Sequence, residues 1–376
     1  MQERGRIMKN NIDIAKNIMH LRKEQGMTQE DLARYLGVTK ASVSKWETGQ
    51  SFPDIALLPR IATYFSVSID ALMGYAPQMT KEQIKRTYLH LRDGFGAQSY
   101  KEAHESCMKV VKEYWACPDL LVQIAILYLN HMPQAPAGDA RDTLLIEAQG
   151  LCRRAVELST VSSVVRQANA VSAMCFMAQG NPDDAIDLLQ GAMAPSMGES
   201  TLLAQAYMVQ GKMEDARRCA QVNVYQELIG LLNDLPTLAG MYTDDPARLN
   251  RIYERTMALI DAFNLEEVYV NSAAVYAAFA SAFLQAQDES RTYECLERYV
   301  AACVKMRFPL KLGTDDFFDK VAPWLEDLDL GDDAPRDENL VKQSMVTTLE
   351  SNPIFAPIAD EARFKQLVID LKARLS

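Results

Sequence analysis

Apolar positions in this chain recur at helical spacing along nearly its whole length, and the period-two alternation that builds strands is scarce. The pattern predicts an all-α fold. Five short helices are expected within residues 12–74. Ile14, Ile18 and Leu21 form one apolar stripe over 12–24. Leu32, Ala33 and Leu36 form a second, opened by Thr28 as N-cap, answered by Asp31 three residues on, and closed at Gly37. Thr39 caps a third helix, in which Val43 and Trp46 turn inward. Asp54 caps a fourth over 55–65, and Ser68 a short fifth that Gly74 stops. Pro77 marks 75–80 as a hinge, and the polar stretch 1–11 is expected to be frayed.

From residue 81 to 325 the pattern stays helical, and one phrase recurs. AQGNPDDAIDLL carries Gly180 and Ala185; VQGKMEDARRCA carries Gly211 and Ala216, each 31 residues further on. A glycine permits a tight turn between two helices, and a small alanine lets them approach closely. Fainter echoes are GAQSYKEAHESC and LQAQDESRTYECL. The phrase resembles tetratricopeptide-type repeats, whose period is about 34 residues. That resemblance implies an α-solenoid whose stacked helix pairs line a groove suited to a peptide or a partner helix. Asn169, Asn223, Tyr225, Asn271 and Tyr276 are candidates to line it, asparagine because it can pair with both N–H and C=O of a peptide. A helical bundle without regular repeats accounts for the same apolar pattern. The acidic stretch 326–339 is expected to be a loop that interrupts the array. Two helices follow within 340–376, with Phe355, Phe364, Leu367, Val368 and Leu371 as an apolar face. That face fits a terminal cap or a dimer contact.

The second and third helices, joined at Gly37, read as a helix-turn-helix. The second helix of such a pair can enter the DNA major groove. Lys40, Ala41, Ser44 and Lys45 lie on its outward side. Lysine can donate to guanine O6 and N7, and alanine can touch a thymine methyl; either lysine could equally meet a phosphate. An ordinary helical hairpin with a solvated charged face would show the same pattern.

Residues 12–74 resemble the Cro/Xre-type helix-turn-helix domain of phage and bacterial repressors. The matching run is IMHLRKEQGMTQEDLARYLGVTKASVSKWETGQSFPDIALLPRIATYFSVSIDALMG. Carried over by position, the resemblance implies that Gln29 braces the helix pair and meets a phosphate. It implies that Lys40, Ala41, Ser44 and Lys45 face base edges, with Ser42 and Thr48 near the DNA backbone and the capping Thr39 also among the DNA-contacting residues. It also implies an internal ion pair between Arg22 and Glu47. Such a head followed by tetratricopeptide-like repeats is similar to the peptide-sensing regulators of Gram-positive bacteria. The implied protein is a homodimer on a palindromic double-stranded DNA operator, with a signalling peptide or a protein partner on the repeats.

Charge sharpens this picture. Residues 1–80 hold 10 Lys and Arg against 8 Asp and Glu, which leaves 29 against 42 for the remainder. An acidic body repels DNA and confines contact to the small head, where two heads on one site would raise affinity. The seven cysteines are scattered without a close C-x-x-C pair, which fits reduced thiols in cytoplasm. The four histidines show no metal spacing, and no phosphate loop or nucleophile elbow is present. No enzyme, metal, cofactor or membrane span is expected.

Overall fold

The computed structural model describes residues 13–75, 78–193, 198–268 and 271–375. The stretch 1–11, and Ala76 and Pro77 of the hinge, lie outside the described residues. The described chain is helical, and its one β-type pairing is an isolated bridge between Lys311 and Asp333.

The head consists of α1 (Ile14–Glu24), α2 (Gln29–Leu36), α3 (Lys40–Glu47), α4 (Leu58–Phe65) and α5 (Ile69–Met73). Ile18, Leu32, Leu36, Val43, Ile61 and Leu72 fill a core built from head residues alone. Local chemistry sets the helix ends. Thr28 accepts from the Asp31 N–H while Asp31 answers the Thr28 N–H, a full capping box. Ser68 accepts from the Ala71 N–H at 3.0 Å. The fourth helix starts later than the cap at Asp54 suggested. Residues Ile55–Leu57 form a 3-10 turn and α4 begins at Leu58. Pro59 has no N–H to give the Ile55 carbonyl, so an α-helix cannot run unbroken from residue 55.

After the hinge, Gln78 Nε2 donates to the Ala116 carbonyl at 2.6 Å and Met79 packs on the first core of the body. Helices α6 (Lys81–Ala97), α7 (Tyr100–Glu113), α8 (Pro118–His131), α9 (Asp139–Leu158) and α10 (Ser162–Ala178) enclose that core. Next come α11 (Pro182–Leu189), α12 (Glu199–Val209) and α13 (Met213–Gly240). Then α14 (Pro246–Ala262), α15 (Leu265–Val268), α16 (Ser272–Gln285) and α17 (Glu289–Lys305) follow, with α18 (Ala322–Glu326), α19 (Glu338–Glu350) and α20 (Ala362–Leu375) at the end. A second core runs from Tyr225 of α13 to Leu371 of α20. Phe355, Phe364 and Leu371 are buried in it, so the last apolar face closes the chain's own core.

The recurring phrase has a geometric counterpart. Gly180 and Gly211 both adopt φ +75°. One residue beyond each, the N–H of Asn181 reaches the Phe176 carbonyl, and that of Lys212 the Tyr207 carbonyl, both at 2.9 Å. This is the bond that ends a helix in a left-handed residue. Gln287, at φ +60°, takes the same place between α16 and α17, where Asp288 N–H reaches Phe283 O at 2.9 Å. Ala185 and Ala216 are buried just after the two glycine turns. Gly180→Ala and Gly211→Ala should each cost about 1 kcal/mol, since an L side chain is strained at this φ. Thermal unfolding of the full chain measures it, and a midpoint unmoved by either change would show that the turn conformation is not needed.

Between the two cores the packing thins. In α11, α12 and the start of α13 only small alanines (Ala185, Ala204 and Ala216) are buried, while Ile186, Leu202, Leu203, Met208 and Val209 are exposed. The two cores are joined instead by the segment between α17 and α19. Phe318, Val321 and Leu325 belong to the second core, and Leu330 packs against the first. The acidic stretch 326–339 is non-helical between α18 and α19, as the sequence suggested, but it is packed down rather than free. It lies against the first half of the body, because Lys81, Lys85 and Arg92 there meet its carboxylates and carbonyls.

Candidate nucleic-acid interface

Helix α3 is held in the head by Val43 and Trp46, both buried. Its opposite side carries Lys40, Ala41 and Lys45 exposed, with Ser42 and Ser44 half-buried. Thr39 Oγ1 accepts from the Ser42 N–H at 3.2 Å and lies 2.9 Å from Ser42 Oγ. Thr48 Oγ1 donates to the Ser44 carbonyl at 2.9 Å. These two hydroxyls thus fix the helix ends. Lys40 Nζ lies 3.7 Å from Glu30 Oε2, and both side chains are well exposed.

Behind the helix sits a bracing network. Arg22 Nε donates to Glu47 Oε1 at 2.5 Å and Arg22 Nη2 to Glu47 Oε2 at 2.9 Å, a two-bond fork. Arg22 Nη1 also reaches the Met27 carbonyl at 2.6 Å, and Gln29 Nε2 donates to Glu47 Oε2 at 2.9 Å. The pair is nearly sealed from solvent, with side-chain exposures of 10% for Arg22 and 4% for Glu47. Burial pushes the Glu47 carboxyl up, but the hydrogen bonds from Arg22 and Gln29 outweigh it and hold its pKa below the usual value. The bond to Glu47 correspondingly raises Arg22. One buried carboxylate therefore ties α1, α2 and α3 together.

Residues 18–72 match the helix-turn-helix sequence family. The head is a helix-turn-helix domain. Over 63 residues it is 37% identical to the HTH-type transcriptional activator BcrR of Enterococcus faecalis, covering 17% of this chain and 31% of that protein. Over 71 residues it is 32% identical to the competence pilus inhibition repressor of Acinetobacter baylyi, covering 19% of this chain and 64% of that protein. The chain thus spans less than two thirds of either relative. Among solved structures it overlaps the apo competence regulator ComR of Streptococcus vestibularis, with 14% identity and a TM-score of 0.30, over 85% of this chain and 98% of that one.

Two apolar residues just after α3 in the chain escaped the periodicity. Phe52 and Ile55, flanking Pro53 and Asp54, are 65% and 82% exposed. Large apolar side chains in a polar connection with no helical partner were the available signal.

The groove candidates in the body scatter. Asn169 is half-buried on α10. Asn223, also half-buried, lines a cavity of about 610 Å³ with Tyr207, Arg218, Trp324 and Asp327. Asn271 is exposed at the start of α16. Tyr225 and Tyr276 are core residues rather than groove residues. Tyr225 packs edge-on against Phe318 and Trp324, and Tyr276 donates to Glu266 Oε1 at 2.6 Å from a buried ring. A tyrosine can bury its ring when its hydroxyl finds an acceptor, which helical spacing alone does not reveal.

Most of the thiols are sequestered. Burial pushes Cys107, Cys175 and Cys295 up to about 12 and Cys152 and Cys303 up to about 11. They are small apolar core side chains with little thiolate character. Among the described residues no helix is long and apolar enough to cross a membrane.

Proposed function

We propose that this chain is a homodimeric transcription regulator that binds a palindromic double-stranded DNA operator through α3 and senses a peptide or small ligand with its helical body. The observation that carries it is the exposed row Lys40, Ala41 and Lys45 on a helix whose back is fixed by the Arg22–Glu47–Gln29 network. Rigid support behind a row of donors and a methyl group is what base reading requires. Ser44 completes the row, and Ser42 and Thr48 place the helix ends near phosphates. Gln29, its amide committed to Glu47, acts first as a brace. An activator and a repressor both carry a similar head, so the direction of regulation is set outside it.

The sensing role is supported by the cavity at Asn223, which the helices α12 and α13 share with Trp324. A second reading has its own support. The exposed apolar side chains of α11 and α12 suit a body that docks a protein or dimerises without a small ligand.

Selection of bound sequences from random duplex DNA tests the first half. Half-sites about 34 Å apart, one helical turn, are expected for a dimer. Light scattering at micromolar concentration should give two copies, and a monomer with and without DNA would leave the palindrome without a basis. Native mass spectrometry of protein from its own host tests the second half. A bound mass of peptide size per subunit supports sensing, and a clean apo dimer favours the docking body.

A further inference from the structure

We propose that segment 327–337 is an internal stand-in for the ligand of the body, and that the partner it stands in for is an acidic peptide. This rests on the sensing role proposed above and names its ligand class; the face involved, on α6, α8 and α10, adjoins the Asn223 cavity at Asp327, which lines that cavity and accepts from Lys81. The segment, DLDLGDDAPRD, holds five aspartates. It leaves α18, crosses α6, α8 and α10, which are the first helices of three successive pairs, and re-enters at α19.

The surface under it is built of donors. On α6, Lys81, Lys85, Tyr88 and Arg92 follow at four, three and four residues, a spacing that places them on one helix face. All four meet the strap. Lys81 Nζ donates to the Asp327 carbonyl and lies 3.9 Å from its carboxylate. Lys85 Nζ lies 3.6 Å from Asp333 Oδ2. Tyr88 Oη donates to the Pro335 carbonyl at 3.2 Å, and Arg92 Nη1 to the Ala334 carbonyl at 2.8 Å. From α8 and α10, Gln123 and Gln167 both aim Nε2 at Asp329 Oδ2, at 2.9 and 3.3 Å.

Gln123 is the most telling of these. It is 4% exposed and stands among the buried Leu121, Val122, Ile124 and Ala125. A polar side chain in that setting needs a partner, and here the partner is a carboxylate from 206 residues away. Two features then coincide. Main-chain carbonyls at 327, 334 and 335 are read by side chains, which a peptide of any sequence could supply. Carboxylates are read at Asp329 and Asp333, which selects an acidic one. Gly331, buried at φ +60°, gives the strap a left-handed turn that an L side chain would strain.

The strap is tethered at both ends, so it competes at the millimolar effective concentration typical of short linkers. A free acidic peptide must displace it, and loosening the strap should make that easier. The test uses fluorescein-labelled DLDLGDDAPRD and the full chain, by fluorescence anisotropy at low salt. Asp329→Ala with Asp333→Ala should bind the peptide about tenfold or more tightly than wild type, because the internal competitor is weakened. Lys85→Glu in that background should abolish the gain. The same peptide with asparagine at every aspartate should bind about tenfold or more weakly. A measurement on wild type alone guards against a misfolded variant: saturating acidic peptide should speed amide exchange at 327–337.

Equal affinity of wild type and the double variant, equal binding of acidic and asparagine peptides, or unchanged strap exchange would each overturn the proposal. A neutral host peptide that binds without moving the strap would leave sensing intact and remove only the acidic stand-in. Failure to bind any peptide, with DNA binding unaffected, would remove both.

Discussion

Arg22→Ala is expected to destabilise the head by about 3–5 kcal/mol, the usual consequence of leaving one member of a buried ion pair alone. Glu47, whose side chain is 4% exposed beside Arg22, keeps only the Gln29 amide as a hydrogen-bond donor in this variant. Amide exchange resolved over α1, α2 and α3 reads the head separately from the larger body; protection equal to wild type would show that the network does not hold the head together. Replacing both partners by apolar side chains, Arg22→Met with Glu47→Leu, should recover most of the loss, because the penalty comes from the orphaned charge. The pH dependence carries the opposite sign in the two proteins. In wild type the folded Glu47 carboxyl lies below its usual value, so its contribution is present above the ordinary carboxylate range and is lost as pH falls through the depressed value. Without Arg22, burial becomes the leading influence and raises that carboxyl. The variant should then gain stability relative to wild type on acidification from about pH 6 to about pH 4.

The head was legible because its information is local. Thr28 with Asp31, Thr39 with Ser42 and Ser68 with Ala71 are contacts over three residues, and each shows as a hydrogen bond in the structure. The long link from Arg22 to Glu47 came from the family resemblance and not from spacing, and others, such as Asn17 Nδ2 to the Ala71 carbonyl, were not foreseen. In the body, the glycine turns at 180 and 211 were visible for the same reason. The third turn was fainter because Gln287 stands where the others have glycine, and nothing in its chemistry announces positive φ.

What the periodicity could not give is where distant segments meet. Tyr88 meets Pro335 across 247 residues, and Gln123 meets Asp329 across 206. The stretch 326–339 reads as an acidic loop on composition, since neither apolar stripe nor cap betrays that a basic face awaits it. The signal lay on the other partner. Gln123 is a lone polar residue within an apolar run of α8, and Lys81, Lys85, Tyr88 and Arg92 share one face. A surface charge stripe and a misplaced glutamine each have ordinary explanations; together they mark a site only once the strap is seen on them.

Lys40→Ala and Lys45→Ala are the two changes expected to weaken operator binding most, and they should do so differently. Lys45 is exposed on the outer side of α3. If it reads a guanine, its loss costs about 1–3 kcal/mol and relaxes the sequence preference at one position. If it meets a phosphate, affinity falls evenly across sequences and the salt slope drops by about 1. Lys40 has a second duty, because its ammonium lies 3.7 Å from Glu30. Removing it also leaves an uncompensated carboxylate at the front of α2, near incoming phosphates. Lys40→Ala should therefore lose at least as much affinity as Lys45→Ala, and Glu30→Gln in the Lys40→Ala background should restore part of it, whereas it should do little in the Lys45→Ala background. Anisotropy titrations of a selected operator at several salt concentrations separate these cases. Unchanged affinity and unchanged slope in both single variants would mean that α3 is not the DNA-reading element. The effects should be large for single lysines because the head has little charge to spare: 10 basic against 8 acidic residues in 1–80, on a body with 42 acidic and 29 basic ones.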